Sequence, residues 1–278
     1  MSYKNLLVHL DDRKSSPGRV KAAIALAQAH GAHLTGLYVA ADPILPGNLR
    51  AEVPPEYLRI LQEQQKEAMA AAEKTFVETV RKAGLNVDCR TTHSAVNMLP
   101  EVIALHARYA DLIVLGQPEA ESQAMYGSET TENVIMGAGR PALVVPYVGA
   151  GKTLGQRVMV AWDGGREAAR AVNDALPILE AADRVSIIAV NPKKGRHGQE
   201  PGADIALHLA RHGIKVEAQH LDTSDISVAD AILSRAADQD IDLLVMGAYG
   251  HSRVREWVLG GTTRQIFAEM TVPVLMSH

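Results

Sequence analysis

Leu6-Leu7-Val8-His9-Leu10-Asp11 returns in the second half of the chain as Val158-Met159-Val160-Ala161-Trp162-Asp163. Two further segments recur in the same order. Asp111-Leu112-Ile113-Val114-Leu115-Gly116 matches Asp242-Leu243-Leu244-Val245-Met246-Gly247. Thr130-Thr131 followed by Pro141-Ala142-Leu143-Val144-Val145 matches Thr262-Thr263 followed by Pro273-Val274-Leu275. The spacing is far longer than a solenoid unit, so the repeat is a duplicated domain. Its boundary falls in 147–152, which reads as a short linker, giving halves of 1–147 and 155–278.

Each half alternates short apolar runs with amphipathic stretches. In half two the strands are expected at 157–162, 184–190, 215–220, 243–246 and 272–276. Helices are expected at 166–181, 203–212, 228–239 and 262–270. Runs this apolar suit strands covered on both faces. The βαβα alternation implies a parallel sheet, right-handed crossovers and helices on both faces. The fold class is therefore α/β, two tandem doubly wound domains. The halves differ most in their middles, where half one carries a long Glu-, Gln-, Ala- and Lys-rich helix over 55–83.

Length and composition agree. The 278 residues, 47% hydrophobic and 22% charged, suit two soluble domains with aliphatic cores, since aromatics make up only 4%. A net charge of −4 gives no broad positive field for nucleic acid or anionic membrane. One cysteine, Cys89, excludes an internal disulfide and fits a reducing compartment. Met1-Ser2-Tyr3-Lys4-Asn5 leads straight into a strand without a basic-then-apolar leader. A cytoplasmic location is expected.

In an open parallel sheet, ligands bind beyond the carboxyl ends of strands where the strand order reverses. Asp163 ends the first strand of half two. Gly247-Ala248-Tyr249-Gly250-His251-Ser252-Arg253 ends the fourth, and Gly260-Gly261-Thr262-Thr263 opens the last helix. Glycines let backbone approach an anion. A helix start offers free N–H groups and the positive end of a dipole. His251, Ser252, Arg253 and Arg255 add donors, so the set reads as a phosphate cradle.

Gly247, Gly250 and Gly260 form a G-x2-G-x9-G pattern that resembles the nucleotide loop of the universal stress protein (UspA-like) family. The strand-end aspartates Asp11 and Asp163, and the last strand introduced by Val272-Pro273, are similar too. The resemblance spans nearly the whole chain. It implies a five-stranded parallel sheet of order 3-2-1-4-5 in each half. It also implies an adenine nucleotide, ATP or AMP, with Mg²⁺ accompanying the triphosphate. By resemblance, Asp163 and Val190 would flank adenine and ribose. Gly247, Gly250, His251, Ser252, Arg253, Gly260, Gly261 and Thr262 would face ribose and phosphates. It further implies that the halves pair through their last strands, near 143–145 and 274–276, and that such pairs can form homodimers. Half two departs from the pattern at Gly261, where family binders place Ser or Thr. Half one departs further. Gln117-Pro118-Glu119 follows Gly116, and Ser128-Glu129 stands where Gly260-Gly261 stands, so carboxylates would oppose a phosphate.

Plainer roles compete at each position. The glycines can be turn punctuation, and Asp11 and Asp163 can cap the turn that follows. His251-Ser252 lacks a paired acid for nucleophilic chemistry. Asp204, His208 and His212 share one helical face, which suits a solvated surface better than a metal. Trp162, Trp257 and Cys89 read as core or interface residues. There is no Walker lysine, S-G-G-x-D-S or H-x-G-H motif, so any enzymatic activity would be limited to slow ATP hydrolysis. The alternative to a nucleotide-binding regulator is an interaction or assembly protein with a vestigial site.

Overall fold

The computed structural model describes residues 2–42, 54–118, 130–192, 200–249 and 261–278. Half one contributes β1 (Asn5–Leu10), α1 (Ser16–His30), β2 (His33–Asp42), α2 (Pro55–Lys82) and β3 (Val87–Ala95). It continues with α3 (Leu99–Ala107), β4 (Leu112–Gly116), α4 (Thr130–Ala138) and β5 (Ala142–Val145). Half two contributes β6 (Arg157–Ala161), α5 (Arg166–Leu179), β7 (Arg184–Val190), α6 (Ala203–Arg211) and β8 (Val216–Leu221). It ends with α7 (Val228–Asp238), β9 (Leu243–Gly247), α8 (Thr262–Glu269) and β10 (Val274–Ser277).

The strands form one ten-stranded sheet of order β3-β2-β1-β4-β5-β10-β9-β6-β7-β8. Each half thus has its five strands in the order 3-2-1-4-5, all parallel. What the repeat alone did not state is that the two sheets are continuous. β5 and β10 pair antiparallel, with Leu143 opposite Leu275 and Val144 opposite Val274. Both strands are fully buried, so the seam lies in the middle of the core.

Alternation along the strands builds the two faces. Leu6, Val8, Val158 and Val160 lie in one buried cluster with residues of α1, α2, α5 and α6. Leu7, Met159, Leu244 and Val274 lie in the other, with α3, α4, α7 and α8. Each cluster runs through both halves without a break. Polar contacts add to the junction. Tyr3 Oη donates to Asp174 O at 2.7 Å, Arg170 Nη2 to Gly139 O at 2.9 Å, and Gln117 Nε2 to Phe267 O at 2.6 Å.

The repeated aspartates 111 and 242 have a shared structural task. The Asp111 carboxylate accepts the N–H groups of Lys4 and Asn5 at 2.7 and 2.9 Å. Asp242 accepts those of Gly155 and Arg157, both at 3.0 Å. Each ties the start of its half's first strand to the start of the fourth. Trp162 packs against the core from a half-buried position, and so does Cys89. Burial, with Glu73 nearby, pushes the Cys89 thiol up to about 11, so it is protonated and unreactive at neutral pH. Among the described residues no helix is long and apolar enough to cross a membrane.

Candidate functional site

Strand register decides which residues meet at the carboxyl edge of half two. Ala161 of β6 pairs with Ile188 of β7 and with Met246 of β9. Asp163 and Val190 lie two residues beyond their pairs, and Gly247 lies one beyond Met246. The three therefore stand side by side where the strand order reverses. The tertiary fold brings the start of α8 to the same edge. Thr263 Oγ1 accepts the Tyr249 N–H at 3.5 Å, so the buried Thr263 faces inward and ties the start of α8 to the chain just past β9; Gly261 and Thr262 are half-buried beside it. Gly261 is the N-cap of α8, with φ −59° and ψ 152° and no side-chain cap. The first amides of α8 thus receive nothing from an N-cap side chain. Gly250, His251, Ser252, Arg253 and Gly260, with Trp257 and Arg255, lie outside the described residues. So do Glu119, Ser128 and Glu129 in half one.

Two positions have structural duties independent of any ligand. Asp163 Oδ1 accepts the Gly165 N–H at 2.8 Å, closing the turn that leads into α5. A Cβ on Gly247 would stand 2.5 Å from Ala168 N and 2.7 Å from the carbonyl carbon of Glu167. Glycine is required there because the first turn of α5 rests on the strand end. On the face of α6 the histidines contact each other and a neighbouring carboxylate. The His208 and His212 rings meet edge to face, centroids 4.9 Å apart, and His212 Nδ1 is 4.0 Å from Glu180 Oε1.

The same edge of half one is arranged differently, and a cavity of about 30 Å³ lies there. Its wall includes His9, Asp11, Asp12, Arg13, Arg19 and Tyr38. Arg19 is 2% exposed and donates from Nη2 to Asp11 Oδ1 at 2.6 Å. Arg13 approaches the other oxygen of Asp11 at 3.8 Å. Burial acts to raise the Asp11 carboxyl, but Arg19, His9 and Arg13 outweigh it and hold it below the usual carboxylate range. A Cβ on Gly116 would come within 2.9 Å of Arg19 Nη1. Gly116 and Gly247 are equivalent in the repeat, so Arg19 occupies the space that the Glu167–Ala168 backbone takes in half two. This cation was missed in reading the sequence. The available signal was its place on the same helical stripe as Ala22, Ala23, Leu26 and Ala27, all buried.

The halves share other details. Thr131 Oγ1 donates to Gly116 O at 3.1 Å, as its repeat partner Thr263 meets the end of β9. Gln117 N donates to Val145 O and Ala248 N to Ser277 O, both at 2.9 Å. Asp11 Oδ1 also accepts the Arg13 N–H at 3.2 Å, the counterpart of the Asp163 turn.

A doubly wound sheet, duplicated in tandem, with a strand-end aspartate and a helix-start glycine at the carboxyl edge, defines a class of two-domain α/β proteins. The sequence profile of the universal stress protein family matches residues 2–146 and again 155–278, and the chain belongs to that family. Universal stress protein Slr1230 of Synechocystis sp. is 31% identical over 176 residues, covering 59% of this chain and 57% of that relative. A universal stress protein structure from Archaeoglobus fulgidus superposes with a TM-score of 0.75 at 18% identity, covering 98% of this chain and 95% of its own. A functionally unknown protein, PA1789 from Pseudomonas aeruginosa PAO1, superposes with a TM-score of 0.61 at 14% identity, covering 99% and 92%. At those identities the structures show the fold alone.

Proposed function

We propose that the chain is a cytoplasmic stress-response regulatory module that holds one adenine nucleotide, ATP or AMP, in half two, residues 155–278. Half one, residues 1–147, holds none. Mg²⁺ accompanies the triphosphate. The observation that carries this reading is the start of α8. It lies at the point of strand reversal and carries no side-chain cap, and its N-cap is a glycine that lets an anion reach the first amides. Asp163, Val190, Gly247, Gly261 and Thr262 share that edge. Gly250, His251, Ser252, Arg253 and Gly260 complete the cradle in this proposal. In half one, Glu119 and Glu129 would oppose a phosphate, and Asp11 is already paired with the buried Arg19. The role proposed is binding, with at most slow ATP hydrolysis.

One observation favours the assembly reading with a vestigial site: packing against α5 alone accounts for Gly247. A single experiment separates the two. Isothermal titration with ATP and AMP, with and without Mg²⁺, should show one site per chain, and mass spectrometry should find copurified nucleotide. Gly250→Glu gives half two the residue half one has at that position and should abolish binding with unchanged melting. At about 4 Å and an effective dielectric near 20, like charges repel by roughly 4 kcal/mol, more than several hydrogen bonds return. Two equivalent sites would overturn the assignment. No binding by the wild type would leave the assembly reading.

A further inference from the structure

The half-one cavity lies apart from the site proposed for the nucleotide. Its wall holds a buried cation with spare hydrogen-bonding capacity. A guanidinium has five N–H donors. Among the described residues Arg19 makes one hydrogen bond, from Nη2 to Asp11; its Nη1, lying over Gly116 of the same wall, has no acceptor there, and its Nε is buried without one. Such groups are rare because leaving them unpaired is costly. His9 lines the same wall. Burial, reinforced by Arg19, lowers its pKa to about 4, so at neutral pH the ring is uncharged, and neither nitrogen bonds a described residue.

Both carboxylates of the wall, by contrast, are already engaged. Asp11 is taken by Arg19 and Arg13, and Asp12 accepts the Tyr38 hydroxyl at 2.7 Å. The two aspartates and two arginines cancel in charge, so the under-used group is cationic. Thr130 begins α4 at the same place and brings the positive end of that helix. Apart from Gly116 and Thr131, whose hydroxyl bonds Gly116 O, the rest of the wall is apolar: Val39, Leu99, Ile103, Leu115 and Val134.

We propose that this cavity binds a small alkyl carboxylate, its oxygens on Arg19 and the start of α4, its short chain against Val39, Leu115 and Val134. The size, about 30 Å³, limits the acid to a few heavy atoms, since one water needs about 10–15 Å³ on the same measure. Asp11 and Asp12 limit it to a single negative charge. A nucleotide fails on both counts.

The test is titration of the full chain, followed by NMR and calorimetry. Acetate and propionate are compared with chloride at constant ionic strength, with propylamine as the cation of similar size. Both acids should saturate with Kd on the order of 1 mM. The shifts should cluster at His9, Leu115 and Thr131, and the His9 pKa should rise when the site is full. Propylamine should give none of this. The double variant Arg19→Met/Asp11→Asn removes the ion pair as a unit, so no charge is left buried alone. It should weaken both acids by at least about tenfold. If that variant does not fold, Val134→Ile narrows the apolar wall and should weaken propionate more than acetate. No saturable response in the wild type, equal affinity in the folded double variant, or equal weakening of the two acids by Val134→Ile would overturn the proposal.

Discussion

His9 makes the chain acid-sensitive for a reason visible at one atom's distance. Desolvation disfavours the imidazolium, and Arg19 and Arg13 repel it, so the folded pKa falls to about 4 from 6.5. Between those values the unfolded chain takes up a proton that the folded chain refuses. Stability therefore drops as pH falls from about 6.5 to 4, by up to roughly 3 kcal/mol from this residue. His9→Gln should remove that part of the slope. Urea unfolding at several pH values, compared between wild type and variant, measures the difference; parallel curves would contradict it. The strand and the aspartate two residues past His9 were legible in the sequence, but this environment was not. The neighbouring cation arrives from α1, eight residues past Asp11, and its burial depends on how that helix lies on Gly116. Gly247 and Asp163 were legible as special positions. Their packing and turn duties were not separable from ligand duties until the partners could be named.

At the level of elements, apolar runs placed every strand of half two to within about two residues, because strands covered on both faces have few polar interruptions. The shifts have local causes. Pro273 has no N–H to give, so β10 begins after it, at Val274. β6 ends at Ala161 because Asp163 already closes the next turn. The expected helix over 55–83 is α2, and its polar composition is explained by its position. Phe76 and Val80 are its buried apolar residues, and most of its remaining surface faces solvent. α7 shows how sequence fixes a helix start. Ser227 accepts the Asp230 N–H at 3.0 Å, while the Asp230 carboxylate accepts the Ser227 N–H at 3.4 Å, a reciprocal cap. Its half-one counterpart α3 has no side-chain cap and is entered through a short 3-10 turn, Val96–Met98. Ser227→Ala should cost roughly 1 kcal/mol, read as a lower urea midpoint at unchanged slope.

At the scale of the molecule, the β5–β10 seam joins two cores that each run through both halves. Unfolding should therefore be a single transition, with calorimetric and van't Hoff enthalpies equal. Leu275 is fully buried opposite Leu143. Leu275→Asp places an unpaired charge in the seam and should destabilise the protein by more than about 4 kcal/mol, separating the melting of the two halves. A variant that still melts in one step at the wild-type temperature would show the seam to be unimportant. The seam was only half legible: the family resemblance pointed to contact at the last strands, but continuity of the sheet depends on register, which pairs Val144 with Val274 and leaves no gap. The fused seam also changes what a mutation can do. In a dimer of identical chains every substitution appears twice, once on each side of the axis, so neither copy can be altered without altering the other. Here the pair is inherited as one chain at a fixed one-to-one ratio. Arg19 can stand in one half while Ala168 stands in the other, and the two carboxyl edges are free to diverge into different specificities without ever losing their partner.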